Sequence, residues 1–267
     1  WSYLPNLSMV RAVGSERKPV AYHFDRLGTR VRAAAVERDP ARPSVLFLGC
    51  SFTLGEALPY EDSFSGQLEA RPGFPLQVVN GGVGGFGAGQ SFQMMKRLMD
   101  RFPAQAVVYT FIPQHPDRDA AWDRRLFHPE ERFLGTTPKF ALRSDGTAYL
   151  QKPALRYEDL VQSQVWACFQ IAWFRKGPRP GLALTRALVL AMKEYAESRG
   201  ARFYLVDWAQ GPSASPESPF RDLDVRLLDT RPHQPPGWNT WYVPGDPHPD
   251  ARAHAHVAGL LAARLSE

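Results

Sequence analysis

"VLFLGCSFTLGEAL", residues 45–58, runs four apolar residues into a turn bounded by Gly49 and Gly55. An unbroken apolar run reads as a buried strand, and the glycines permit a sharp exit from it. Ser51 is thereby placed at the carboxyl end of a strand. Further along, "LQVVN" (76–80), "AVVYTFI" (106–112) and "RFYLVDW" (202–208) are three more strand candidates. The segments between them have helical spacing. "EDSFSGQLEAR" (61–71) sets Phe64 and Leu68 four apart, and "AGQSFQMMKRLMDRF" puts Phe92, Met95, Met99 and Phe102 on one face. "LALTRALVLAMKEYAESRG" repeats the pattern with Leu184, Leu188, Met192 and Tyr195 and stops at Gly200. "PDARAHAHVAGLLAARL" is expected to close the chain as a helix with Val257, Leu260, Leu261 and Leu265 inward. Strands alternating with helices imply an α/β fold: a three-layer α/β/α sandwich with a mostly parallel central sheet.

The chain has 267 residues and 44% hydrophobic content, enough to bury a full core, and one main domain is expected over 44–267. Residues 1–43 read as an N-terminal extension packing on that domain, with "YHFDRLGTR" its most ordered part. Residues 115–180 break the rhythm and are rich in Trp, Phe, Tyr, Arg and Pro. They read as an insertion, either a lid over the site or a cover for the sheet edge. Residues 211–245 carry seven prolines, which exclude a central strand and favour a stiff loop with a short helix near "FRDLDVRLL". The first residue is Trp, so an upstream start, signal or membrane anchor is expected to precede it. No run in the chain has the length of a membrane span.

A net charge of +5 comes from arginines scattered among acids, without a basic block, so nucleic acid is not an expected partner. Cys50 and Cys168 make no disulfide framework, and Cys50 reads as a packed thiol. Of the histidines near the end, His254 and His256 lie about 200° apart on a helix of 3.6 residues per turn and do not share an ion easily. Neither a metal nor a cofactor is expected.

In open α/β sheets, ligands collect beyond the carboxyl ends of the strands. Ser51, the loop after Asn80 and the loop after Phe111 all map to that edge. A serine hydroxyl needs a base to take its proton and a carboxylate to orient the base. "GDPHPD" (245–250) supplies both: in an extended spacing Asp246 and His248 would project to one side. "NGGVGGFGAGQ" (80–90) offers backbone N–H groups for an oxyanion. A nucleotide reading of those glycines is disfavoured, because no GK[ST] follows and the loop comes after the second strand.

"LGCSFTLG" resembles the Gly-Asp-Ser block of the SGNH/GDSL hydrolases, "VVNGGVGGFG" their glycine block, and "DPHPD" their C-terminal Asp-His block. The resemblance implies their flavodoxin-like sandwich over residues 44–267. It implies Ser51 as nucleophile, His248 as base and then acid, Asp246 as the residue orienting the imidazole, and the N–H groups of Ser51 and Gly85 as oxyanion donors. "FDRLGTR" resembles the lead-in of envelope-associated bacterial members, which implies the bacterial envelope or periplasm, the cytoplasm being the alternative. Two positions depart from the pattern. Cys50 stands where the family has a structural Asp, and the stretch expected to carry an oxyanion Asn reads "YTFIPQHPDRD". Gln114 is its candidate substitute, and His115 is a candidate donor or substrate contact. The function implied is a serine esterase removing a small acyl group, acetyl by resemblance, from a carbohydrate or similar polar substrate. Trp122, Trp166, Trp173 and Trp238 read first as core residues and second as candidate sugar-stacking surfaces. The alternatives are an O-acyltransferase acting on a polysaccharide and a catalytically silent glycan-binding protein.

Overall fold

The computed structural model describes residues 2–121, 136–154, 181–211 and 215–266. In chain order these residues form β1 (Ser8–Val13), β2 (Lys18–Phe24), β3 (Arg30–Val31), β4 (Ser44–Leu48), α1 (Ser51–Leu54), α2 (Phe64–Glu69), β5 (Gln77–Asn80), α3 (Ala88–Met99), β6 (Ala104–Phe111) and α4 (His115–Ala120). There follow β7 (Lys139–Leu142), β8 (Ala148–Lys152), α5 (Gly181–Ser198), β9 (Arg202–Asp207), β10 (Arg226–Asp229) and α6 (Ala251–Leu265). Eight strands make one sheet in the order β1-β2-β3-β5-β4-β6-β9-β10, and β7 pairs with β8 in a separate hairpin. The five strands from β5 to β10 run parallel.

The layers follow from the two-residue period of the strands. Val45 and Phe47 face one side and pack with Phe64 and Leu68 of α2 and Val257 and Leu261 of α6. Leu46 and Leu48 face the other and pack with Phe92, Met95 and Leu98 of α3 and Leu188 and Met192 of α5. All five β4 residues are buried, which explains the unbroken apolar run: a strand covered on both faces has no polar side to show. Each side chain fully buried in this way contributes about 1.5–3 kcal/mol. The methionines of α3 serve the core, and the fold is the three-layer α/β/α sandwich expected.

The N-terminal extension joins the sheet. β2 pairs antiparallel with β1 and β3, and β3 meets β5 through Arg30 and Asn80. The "FDRLGTR" turn is organised around Asp25, which accepts from the Leu27 and Thr29 amides, the Thr29 hydroxyl and the Arg38 guanidinium. The proline-rich stretch corrects one expectation in part: 226–229 is a strand at the sheet edge, no helix forms within "FRDLDVRLL", and the short helix nearby is a single 3-10 turn at Arg231–His233. Val225 and Leu227 pack into one core and Leu228 into the other, an alternation that a helix does not produce. The expected insertion at 115–180 is described only at α4 and the β7–β8 hairpin. Trp122, Trp166, Trp173 and Cys168 lie outside the described residues.

Candidate active site

β4 ends at Leu48, and two residues later the chain enters α1, a single turn that begins with Ser51. The passage is tight. Gly49 has φ +146°, and a Cβ there would lie 2.3 Å from Thr53 Oγ1 and 2.9 Å from the Thr110 carbonyl. Only glycine fits this backbone and this space. Cys50 precedes the helix without capping it through its side chain and is fully buried in the core below, where it packs as a small apolar group. Gly55, left-handed at φ +73°, ends the turn. The last carbonyls are satisfied by Arg30, whose buried guanidinium donates to Leu54 O, Gly55 O and Leu58 O at 2.6–2.7 Å. The short helix bearing Ser51 is therefore held at both ends, and Ser51 itself is 6% exposed.

Asp246 and His248 come from the loop before α6. Asp246 Oδ1 accepts from both the His248 amide at 3.0 Å and its Nδ1 at 2.5 Å. The local cause is a bend, which replaces the extended spacing expected. Gly245 has φ +72°, the Asp246 amide donates to the Val243 carbonyl, and the Val243 amide donates to the His248 carbonyl. With Nδ1 committed to Asp246, the far edge of the imidazole reaches the Ser51 turn. Its ring stands edge-on to Phe52, centroids 6.1 Å apart, and Nε2 lies 3.8 Å from Glu56 Oε2. Among the described residues no hydrogen bond joins Ser51 Oγ to His248.

The glycine loop is laid against this turn by its own backbone. The Gly81 amide donates to Phe47 O, Val83 to Gly49 O, and Gly82 to Asn80 Oδ1. Asn80 also donates through Nδ2 to Thr53 O and Ser65 Oγ, tying β5 to α1 and α2. Gly85, with φ +75°, is partly exposed beside these groups. Neither its amide nor that of Ser51 has a protein acceptor among the described residues.

The loop after β6 is arranged otherwise. Gln114 is exposed at the start of α4, whereas His115 is fully buried, with Nδ1 2.6 Å from the Tyr109 hydroxyl and its ring against Phe111. Nearby, Asp119 accepts from the Gly89 amide at the start of α3 and from Thr185 of α5. Burial pushes its carboxyl up to about 6, against the pull of those hydrogen bonds. Trp238 is buried in a row of aromatics, Phe52, Trp208, Trp238 and Trp241, whose first member meets the imidazole. Among the described residues no group of three His, Cys, Asp or Glu side chains is placed to hold a metal, and no helix is long and apolar enough to cross a membrane.

Three residues at the site escape a reading of the sequence. Glu56 borders His248, Arg11 of β1 is bonded to Glu56 at 2.5 Å, and the Tyr3 hydroxyl lies beside Gly84 and Glu56. Burial, and secondly the Glu56 carboxylate, push Tyr3 up to about 12, so it carries its proton. Glu56 was within reach, since it follows Ser51 by five residues across a glycine turn. Nothing in the sequence signals Arg11 or Tyr3.

No family model matches the sequence, and no curated protein matches it. Solved structures do. It is similar to TesA at 13% identity and a TM-score of 0.51, over 83% of this chain and 97% of that one. A lipolytic protein of the G-D-S-L family from Desulfitobacterium hafniense DCB-2 aligns at 14% identity and a TM-score of 0.48, over 85% of this chain and 99% of that one. The psychrotrophic esterase EstA from Pseudoalteromonas sp. aligns at 12% identity and a TM-score of 0.48, over 85% and 97%. At 13% identity the likeness to TesA speaks for the fold alone.

Proposed function

We propose that the protein is a serine esterase that removes a small acyl group, acetyl in the simplest case, from a carbohydrate or similar polar substrate. The observation that carries this reading is the placement of the His248 imidazole, bonded through Nδ1 to Asp246 and turned with its other edge toward the Ser51 helix. In that orientation His248 Nε2 takes the proton of Ser51 as the hydroxyl attacks the ester carbonyl, and Asp246 stabilises the imidazolium that forms. The oxyanion meets the amides of Ser51 and Gly85. Collapse expels the alcohol with the proton from His248, and water, activated by the same imidazole, releases the acid and regenerates Ser51. Gln114 is the nearest match to the amide donor of the resembling family. A donor of that kind is worth about 3–4 kcal/mol of transition-state stabilisation, so its placement sets how fast the enzyme turns over.

The test is hydrolysis of p-nitrophenyl acetate by the parent protein and by Ser51→Ala. Turnover that disappears with the hydroxyl supports the reading, and equal rates in both proteins contradict it.

A further inference from the structure

Beside the proposed nucleophile lies a second carboxylate for which ester cleavage as described has no use. Glu56 follows the glycine that ends α1, and its amide donates to the Ser51 carbonyl at 2.9 Å. The backbone thus fixes its position relative to the nucleophile. Its two oxygens are used unequally. Oε1 takes the Arg11 guanidinium at 2.5 Å, while Oε2 lies 3.8 Å from His248 Nε2 and faces Gly84, where a Cβ would stand 3.2 Å from it. The side chain is 14% exposed, so it belongs to the wall of the site rather than to open surface.

A gap of 3.8 Å is too long for a hydrogen bond between Oε2 and Nε2. It fits two substrate oxygens side by side. The oxygens of a gauche diol are separated by about the length of a hydrogen bond. One of them at Nε2 and its neighbour at Oε2 therefore close a four-sided arrangement with the observed gap as its fourth side. We propose that Glu56 Oε2 receives the hydroxyl adjacent to the ester oxygen, so that the substrate is a monoacylated vicinal diol of the kind presented by a sugar or by glycerol. This rests on the Ser51 ester-cleavage reading and adds the substrate class to it.

In the step concerned, the bond between the acyl carbon and the diol oxygen breaks, and the electron pair stays on that oxygen. The proton that His248 took from Ser51 passes to it from Nε2. Glu56 exchanges no proton; it accepts a hydrogen bond from the neighbouring hydroxyl and so holds the leaving oxygen against the imidazole. Gly84 keeps the space above Oε2 open, and Arg11 fixes the carboxylate rotamer from β1.

The experiment compares kcat/KM for 2-hydroxyethyl acetate and 2-methoxyethyl acetate in the parent and in Glu56→Ala, with p-nitrophenyl acetate on the parent and Ser51→Ala alongside. The parent is expected to prefer the hydroxyethyl ester at least about tenfold, because the methoxy analogue leaves Glu56 Oε2 without a donor. Glu56→Ala is expected to lose most of that preference. Equal use of both esters by the parent overturns the proposal even if Glu56→Ala fails to fold, and so does a preference that survives in Glu56→Ala. Serine-dependent turnover of p-nitrophenyl acetate together with either result confines the failure to Glu56. A parent inactive on all three esters overturns the ester-cleavage reading, and this proposal with it. Glycerol monoacetate and a methyl glycoside carrying one acetyl next to a free hydroxyl then separate the two sources of the diol.

Discussion

His254 lies one helical step beyond the Asp246–His248 loop and is fully buried, stacked on Phe64 and edge-on to Trp208. Its Nδ1 accepts the Phe64 amide at 3.1 Å, which requires the neutral ring. Burial, helped by Arg30 and His248, lowers its pKa to about 3 from the ordinary 6.5. Between those values the unfolded chain binds a proton that the folded chain does not. Stability from this group is therefore whole above pH 6.5 and declines toward pH 3, by about 1.4 kcal/mol per unit. His254→Asn keeps an acceptor for Phe64 without the titration, so its stability should vary less with pH between 4 and 6.5 than the parent's, as followed by urea unfolding. An equally steep dependence in the variant would assign the acid lability elsewhere. Residue-scale legibility was uneven for a simple reason. Asp246 and His248 are two apart in sequence and form a pair by local geometry, whereas Arg11 and Glu56 are 45 apart and meet only because β1 folds onto the sheet.

α1 is four residues long and cannot hold its own shape, so its neighbours must. Gly49→Ala would press a methyl group onto Thr53 and the Thr110 carbonyl and displace Ser51. A shift of about 1 Å costs on the order of a hundredfold in rate. On the proposed function, kcat/KM for p-nitrophenyl acetate should fall by that order while the circular dichroism spectrum is retained. Arg30 supports the same helix from the opposite end. Its guanidinium is fully buried, lies 4.5 Å from the Tyr22 ring and has no carboxylate among its hydrogen-bond acceptors within the described residues, and burial lowers its pKa. Arg30→Met removes a buried charge but strands three carbonyls. A net loss of about 2–4 kcal/mol is expected in urea unfolding, since each unsatisfied buried acceptor costs about 1–3 kcal/mol. A neutral result would mean that other donors replace it. At the element scale, β4, β5, β6 and β9 were legible because buried parallel strands are apolar throughout. β10 was not: its four residues fall among prolines and charges, and pairing to β9 decides their state.

At the scale of the molecule, the N-terminal hairpin both extends the sheet and borders the proposed site. β2 and β3 cover the edge of β5, the Asp25–Arg38 pair is buried against it, and the hairpin region supplies Arg30, Arg11 and Tyr3 to the site. Removing residues 1–31 exposes a parallel edge and apolar surface together. The truncated chain is expected to aggregate on expression, and a soluble, monomeric, cooperatively unfolding truncation would contradict this. The sequence showed the extension packing on the domain but not joining its sheet, because its strands are short and mixed in polarity, β1 being mostly exposed. Only the sheet shows what it is for. The central claim, that Ser51 is the nucleophile activated by His248, is tested most directly by labelling with a fluorophosphonate, followed by peptide mass mapping of the parent and of His248→Ala. One adduct on Ser51, formed at least about a thousandfold more slowly in His248→Ala, is the result predicted. An unlabelled parent, or an adduct on any other residue, would contradict the account.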